Sequence, residues 1–145
     1  MAKILIVEDE EHILRLLEII LRDKGHEILT AISGEQALEL HQTQFAGQNH
    51  PNLMIIDIVM KGMDGLKLLK ELKLQTCCKE IPVILLSALA QENVVKQGLK
   101  LGARGYITKP FHPKDLLSRV HKFLDPTRVL GVEEATTKVQ THLGQ

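Results

Sequence analysis

Residues 3–9 read Lys3-Ile4-Leu5-Ile6-Val7-Glu8-Asp9, four consecutive apolar side chains that end in a pair of carboxylates. The run is continuous rather than alternating, so a strand made from it buries both faces. That is the pattern of a parallel strand covered by helices on either side. Leu53-Met54-Ile55-Ile56, running into Asp57, and Val83-Ile84-Leu85-Leu86, running into Ser87, repeat it. Glu27–Ala31 and Gly105–Thr108 are weaker candidates for two further strands, the second leading into Lys109 and Pro110.

Helical patterns fill the spaces between. Ile13, Leu16, Leu17, Ile20 and Leu21 recur at helical spacing, and Gly25 marks a stop. Ser33-Gly34-Glu35-Gln36 has the form of a capping box ahead of Ala37, Leu38 and Leu40. Asp64 suits the cap of a helix carrying Leu66, Leu69 and Leu72. Val94, Val95, Leu99 and Leu101 mark a fourth helix, weakened by Gly98. Pro113 fits the first turn of a fifth, with Leu116, Leu117, Val120 and Leu124 on one face. Residues 43–52 read as a long polar loop. Five βα units in 125 residues predict an α/β fold, a doubly wound five-stranded parallel sheet with helices on both faces.

The full chain has 145 residues, enough for one such domain. The expected domain occupies residues 1–125. Residues 126–145 carry Val132, Ala135, Val139 and Leu143 close to a helical stripe, diluted by Thr and Val. They are expected to form a tail or linker stub, the alternative being a short interaction helix. Eighteen Lys and Arg balance eighteen Asp and Glu, which argues against a generic nucleic-acid binder or a polybasic membrane binder. No apolar run is long enough to span a bilayer, and the four-residue run near the N-terminus is too short for a signal-peptide core. The chain therefore reads as cytoplasmic. Adjacent Cys77 and Cys78 have no third cysteine to pair with and no zinc-type spacing, so they read as reduced thiols. The seven His have no ligand spacing either. The even balance hides a gradient: residues 1–60 hold four Lys/Arg against ten Asp/Glu, and residues 91–128 hold eight against three. Solvated faces explain this in the ordinary way. The sharper reading is an acidic site early and a cationic partner face late.

In open α/β sheets, ligands bind beyond the carboxyl ends of the strands. Those ends offer Glu8, Asp9, Asp57, Ser87 and Lys109. Each residue alone has a plain reading, an Asp as a helix cap or a Lys in solvent. Together they place three carboxylates, a hydroxyl and an ammonium on one edge. Clustered carboxylates repel unless a cation neutralises them, and an all-oxygen set favours Mg²⁺. A carboxylate beside such an ion and an ammonium can serve as nucleophile and form an acyl phosphate.

Val7-Glu8-Asp9-Glu10, Ile56-Asp57-Ile58-Val59-Met60, Met63-Asp64-Gly65, Leu86-Ser87-Ala88 and Gly105-Tyr106-Ile107-Thr108-Lys109-Pro110-Phe111 together resemble the receiver domain of two-component response regulators. The resemblance covers roughly residues 2–125. It implies a flavodoxin-like strand order 2-1-3-4-5. It makes Asp57 the phosphoacceptor, Glu8 and Asp9 the acidic pair that binds Mg²⁺ with Asp57, and the backbone carbonyl of Val59 a further metal ligand. Ser87 matches the hydroxyl that follows the phosphoryl group, and Lys109 the lysine that contacts it, with a cis bond to Pro110. Tyr106 matches a switch aromatic that turns inward with Ser87 and alters the face of helix four, strand five and helix five. The implied partners are a histidine kinase or histidine phosphotransfer protein and a downstream protein, with no direct nucleic acid, no membrane, and a homodimer left open. The chain is expected to be a stand-alone receiver, the alternative being one cut from a longer regulator.

Departures from the family pattern carry expectations of their own. Lys61 stands where Pro commonly follows Met, which should loosen that loop. Val59 and Leu89 flank the route of an attacking water, and both are apolar, so self-dephosphorylation should be slow. Ala103-Arg104-Gly105-Tyr106 lacks the Asp-Asp before Tyr of the large DNA-binding subfamily, which weakens an inference of that subfamily's dimer. The expected activity is the chain's own phosphorylation and slow dephosphorylation, not turnover of a separate substrate. A receiver-shaped binding module that ignores phosphorylation would lose Asp57, Lys109 or the acidic pair. A dehalogenase-type phosphatase would want an Asp at Val59, a flavodoxin would want a hydroxyl- and Gly-rich loop at Glu8–Glu11, and no P-loop is present.

Overall fold

A computed structural model describes residues 2–45, 49–75, 78–88 and 92–124. The chain alternates β1 (Lys3–Val7), α1 (Glu11–Asp23), β2 (Glu27–Ala31), α2 (Gly34–Gln44), β3 (Leu53–Asp57), α3 (Gly65–Lys73), β4 (Val83–Ala88), α4 (Glu92–Lys100), β5 (Gly105–Lys109) and α5 (Pro113–Leu124). The strands form one parallel sheet in the order β2-β1-β3-β4-β5. Every predicted strand and helix is present, including the two weaker strands. The proposed tail, residues 126–145, lies outside the described residues.

The continuous apolar runs have the predicted cause. Ile4 and Ile6 face one way, with Leu53, Ile55, Ile84, Leu86 and Ile107, against Leu14, Leu17 and Leu21 of α1 and Leu116 and Val120 of α5. Leu5 and Val7 face the other way, with Met54, Ile56, Val83 and Leu85, against α2, α3 and α4. Each such side chain, taken fully out of water, contributes about 1.5–3 kcal/mol. The two faces together make the covered sheet more favourable than a half-exposed one.

Local signals position the helices. Ser33 Oγ accepts from Gln36 N–H at 3.0 Å, as the capping box predicts. The return bond differs: Gln36 Oε1 accepts from Ile32 N–H at 2.7 Å rather than from Ser33. Asp64 Oδ1 caps α3 through Lys67 N–H at 2.8 Å. Gly98, which weakens the sequence pattern of α4, has a packing reason: a Cβ there would collide with Leu85 Cδ1. The helix approaches β4 so closely at residue 98 that a side chain there would force Leu85 to shift.

The stretch expected to be a polar loop, residues 43–52, is corrected at its start: Thr43 and Gln44 end α2, and residues 46–48 lie outside the described residues. Phe45 is 1% exposed and among the largest fully buried side chains of the core on the α2–α4 side. A single aromatic in a polar window has no periodicity to betray it. Of the two cysteines, Cys78 is a buried, reduced thiol with Sγ 3.4 Å from His41 Nδ1, and Cys77 lies outside the described residues.

Candidate functional site

The chain leaves β1 for the β2 edge and then returns across it to β3, so connections diverge between β1 and β3. Crevices form at such switch points. Val7 pairs in register with Ile56, so the next residues, Glu8 and Asp57, stand side by side at this crevice. Backbone bonds carry both strands slightly beyond their ends: Glu8 N–H donates to Ala31 O at 3.0 Å, and Ile58 N–H to Leu86 O at 3.0 Å.

Glu8 is fully buried and Asp57 is 4% exposed, while Asp9 is exposed. Carboxylate oxygens of Glu8, Asp9 and Asp57 lie within 4.8 Å of one another. Lys109 extends from β5, across β4, and its Nζ reaches Glu8 Oε1 at 2.8 Å and Asp57 Oδ2 at 3.0 Å. The Lys109–Pro110 peptide is cis, as the resemblance implies. Ser87 is buried one residue past the level of Asp57, and its hydroxyl donates to Ala88 O at 2.9 Å.

The electrostatics reflect this crowding. Burial first, then the hydrogen bond with Asp57, pushes the Glu8 carboxyl up to about 7, against the opposing pull of Lys109. Burial alone would lower the Lys109 ammonium, yet its bonds to Glu8 and Asp57 outweigh that and hold it above its ordinary value. One ammonium therefore does not neutralise three carboxylates. An oxygen-only donor set with a deficit of positive charge fits Mg²⁺. Glu8, Asp9 and Asp57 are the side chains that would hold it.

The loop from Ile58 to Asp64 closes the crevice. Gly65 N–H donates to Ile58 O at 2.8 Å, and a Cβ on Gly65 would strike the backbone carbonyl of Asp57. Val59 N–H approaches Asp57 Oδ1 at 3.4 Å, and the Val59 side chain is 60% exposed. Lys61 N–H donates to Asp9 Oδ2 at 3.0 Å. A proline there could not make that bond, so the expected loosening of the loop is countered by a tether. Met63 N–H donates to Glu35 Oε1 at 2.9 Å. Sequence reasoning missed both tethers, because neither a backbone donor nor a partner 28 or 52 residues away leaves a local signal. Leu89, expected beside Val59, lies outside the described residues.

Tyr106 is more buried than a half-buried strand aromatic. It is 4% exposed and packs in the core on the α2–α4 side. Arg119 of α5 stands 5.2 Å from its ring centroid and donates from Nη1 to the Tyr106 carbonyl at 2.7 Å. Burial raises the phenol above its ordinary value, partly offset by Arg119.

Comparison with known proteins bears on this geometry. Residues 4–121 match the family model described as the response regulator receiver domain. The chain is 41% identical over 125 residues to ycf27 of Cyanophora paradoxa, covering 86% of this chain and 49% of that protein. It is 37% identical over 122 residues to the alkaline phosphatase synthesis transcriptional regulatory protein PhoP of Bacillus subtilis, covering 84% and 48%. The chain thus spans about half the length of the curated relatives it matches. The chemotaxis response regulator CheY4 of Vibrio cholerae superposes with a TM-score of 0.77 at 31% identity, covering 86% of this chain and 99% of that one.

Proposed function

The chain belongs to the response regulator receiver domain family, and from that premise we propose that it is a phosphorylation-activated switch with Asp57 as the phosphoacceptor. One observation carries the assignment of the site: Lys109 Nζ bridges Glu8 and Asp57 at the crevice where three carboxylates meet. Bound Mg²⁺ would supply the charge neutralisation that phosphoryl oxygens need. The chain's own residues do the rest. Lys109 holds Asp57 Oδ2, and Oδ1 is turned toward the Val59 amide. An Asp57 oxygen attacks the phosphorus of a phosphohistidine, the P–N bond breaks, and its electron pair returns to the imidazole nitrogen. Lys109 and the Ser87 hydroxyl are the residues that would contact the transferred group. The Val59 backbone carbonyl would be a further ligand of the Mg²⁺ ion.

The receiver catalyses only its own phosphorylation and a slow dephosphorylation, because the apolar Val59 side chain flanks the approach of water. Loss of the phosphoryl group within seconds would contradict that. Tyr106 already lies inward here, so the switch is a change in how often the ring occupies this position, coupled to Ser87. The face it governs includes a cavity of about 380 Å³ between β5 and α5, lined by Phe111, His112, Arg119 and Lys122 among others. This is the cationic region of the sequence, and the partner proposed for it is an acidic face of a downstream protein. A histidine kinase or histidine phosphotransfer protein is the proposed donor, and the cytoplasm is the place where the two would meet. Among the described residues no helix is long and apolar enough to cross a membrane.

Intact mass after incubation with Mg²⁺ and acetyl phosphate tests the reading. A phosphoryl adduct is expected on the wild type and not on Asp57→Ala. An adduct on both would place the chemistry on another residue. No adduct on folded wild type, with no response of Tyr106 fluorescence to beryllofluoride and Mg²⁺, would favour a binding module that ignores phosphorylation.

A further inference from the structure

The loop after β3 shows a regular pattern. Its amides at 59, 61 and 63 each meet a carboxylate from a different part of the chain. Val59 N–H approaches Asp57 Oδ1 at 3.4 Å, Lys61 N–H donates to Asp9 Oδ2 at 3.0 Å, and Met63 N–H donates to Glu35 Oε1 at 2.9 Å. The first two carboxylates belong to the cluster that would hold a cation, and Glu35 does not. A cation held by Asp57 and Asp9 would compete for the carboxylates that accept the first two bonds. The bond to Glu35 involves no member of that cluster.

The fit around Glu35 is close on both sides. Gly62 has φ +75°, and a Cβ there would stand 3.2 Å from Glu35 Oε1 and 3.4 Å from Oε2. The loop passes under the carboxylate because residue 62 has no side chain and tolerates the left-handed region. The Met63 side chain then lies against Gly34, where a Cβ would come within 2.9 Å of Met63 Sδ. An acidic residue in the first turn of a helix has an ordinary explanation in the helix dipole. That explanation requires neither a partner amide 28 residues away nor a left-handed glycine beneath it.

We infer that Glu35 is a positioning residue for the phosphorylation site: its carboxylate, projecting from the first turn of α2, anchors the β3–α3 loop and so sets where the Val59 backbone stands relative to Asp9 and Asp57. The consequence for phosphorylation rests on the function proposed above, whereas the anchoring itself does not. Glu35 is exposed, so its replacement leaves the core intact.

The experiment compares wild type, Glu35→Ala and Glu35→Gln. It reads the loop amides by NMR during a Mg²⁺ titration, and the rate of adduct formation from acetyl phosphate against Mg²⁺ concentration. In Glu35→Ala the Met63 amide should lose its hydrogen-bonded shift and exchange faster. The Mg²⁺ midpoint should rise about three- to tenfold, the worth of one net hydrogen bond, with the rate at saturating Mg²⁺ little changed. Glu35→Gln keeps an acceptor oxygen and removes the charge, so its midpoint should stay within about twofold of wild type. If Gln is as impaired as Ala, the effect is long-range charge and the inference falls. It falls equally if Ala leaves the Met63 amide or the midpoint unchanged. A wild type that binds Mg²⁺ and takes no phosphoryl group would sink the proposed function, while the amide shifts would still decide the anchor. A wild type that does not respond to Mg²⁺ would overturn the proposed function and the positioning role with it, and the Met63 amide of Glu35→Ala would still decide the anchor.

Discussion

Glu8 is the side chain that the fold bears at a cost. Its folded pKa of about 7 lies above the ordinary 4.5, chiefly through burial. Between those values the folded protein keeps a proton that the unfolded chain releases. The associated stability is therefore fully present below about 4.5 and lost as pH rises through 7. His26 acts in the opposite sense: burial first, then His121 and the N-terminus, lowers its pKa, so its contribution is lost on acidification. The comparison of wild type with Glu8→Gln separates the two. In metal-free protein the urea midpoint of wild type, relative to Glu8→Gln, should fall between about pH 5 and pH 8. Parallel profiles would remove Glu8 as the cause. Lys109→Met should destabilise the metal-free protein by about 1–3 kcal/mol, the order expected when a buried carboxylate loses its partner, measured by denaturant unfolding. An unchanged midpoint would mean that Lys109 is not the counterion of this site. Glu8, Asp9, Asp57 and Ser87 were legible because they follow continuous apolar runs, and Lys109 because it follows the weaker fifth strand. The burial of Glu8 beside the exposed Asp9 was not, since adjacent acids look alike in a sequence.

At the scale of the element, glycine residues mark where helices press on the sheet. Gly98→Ala would gain about 1 kcal/mol of helix propensity in an open helix. Here its Cβ collides with Leu85 Cδ1, and overpacking of this kind costs about 1–3 kcal/mol. The expected result is a lower melting temperature, and a rise would show that α4 can move off β4 without loss. The same residue that weakens the fourth helix in the sequence is the one that seats it in the structure. The five helices and five strands were readable from periodicity and caps, because those signals are local. Phe45 and the Gln36 bond to Ile32 N–H were not, because each depends on where the chain goes before or after the element.

Across the whole molecule, the site draws on β1, β3 and β5, which lie at different positions in one sheet. A cation bound there couples to the folding of the entire domain. Mg²⁺ at about ten times its dissociation constant should stabilise the protein by about 1.4 kcal/mol, read as a rise in melting temperature that EDTA reverses. Asp57→Asn should reduce that rise. A Mg²⁺-induced rise of equal size in Asp57→Asn would place the ion away from this crevice.

By itself the sequence determined the α/β class, the number and order of the elements, and which side chains stand at the carboxyl ends of the strands. Burial pattern and chain direction are written locally, in runs of apolar residues and in the polar residues that terminate them. Tertiary structure alone decided that Lys109 crosses β4 to reach both Glu8 and Asp57, that Lys61 and Met63 tether the loop through their amides, and that Phe45 belongs to the core. Those facts are distances between residues far apart in the chain. They exist only once strand order and packing have brought the residues together.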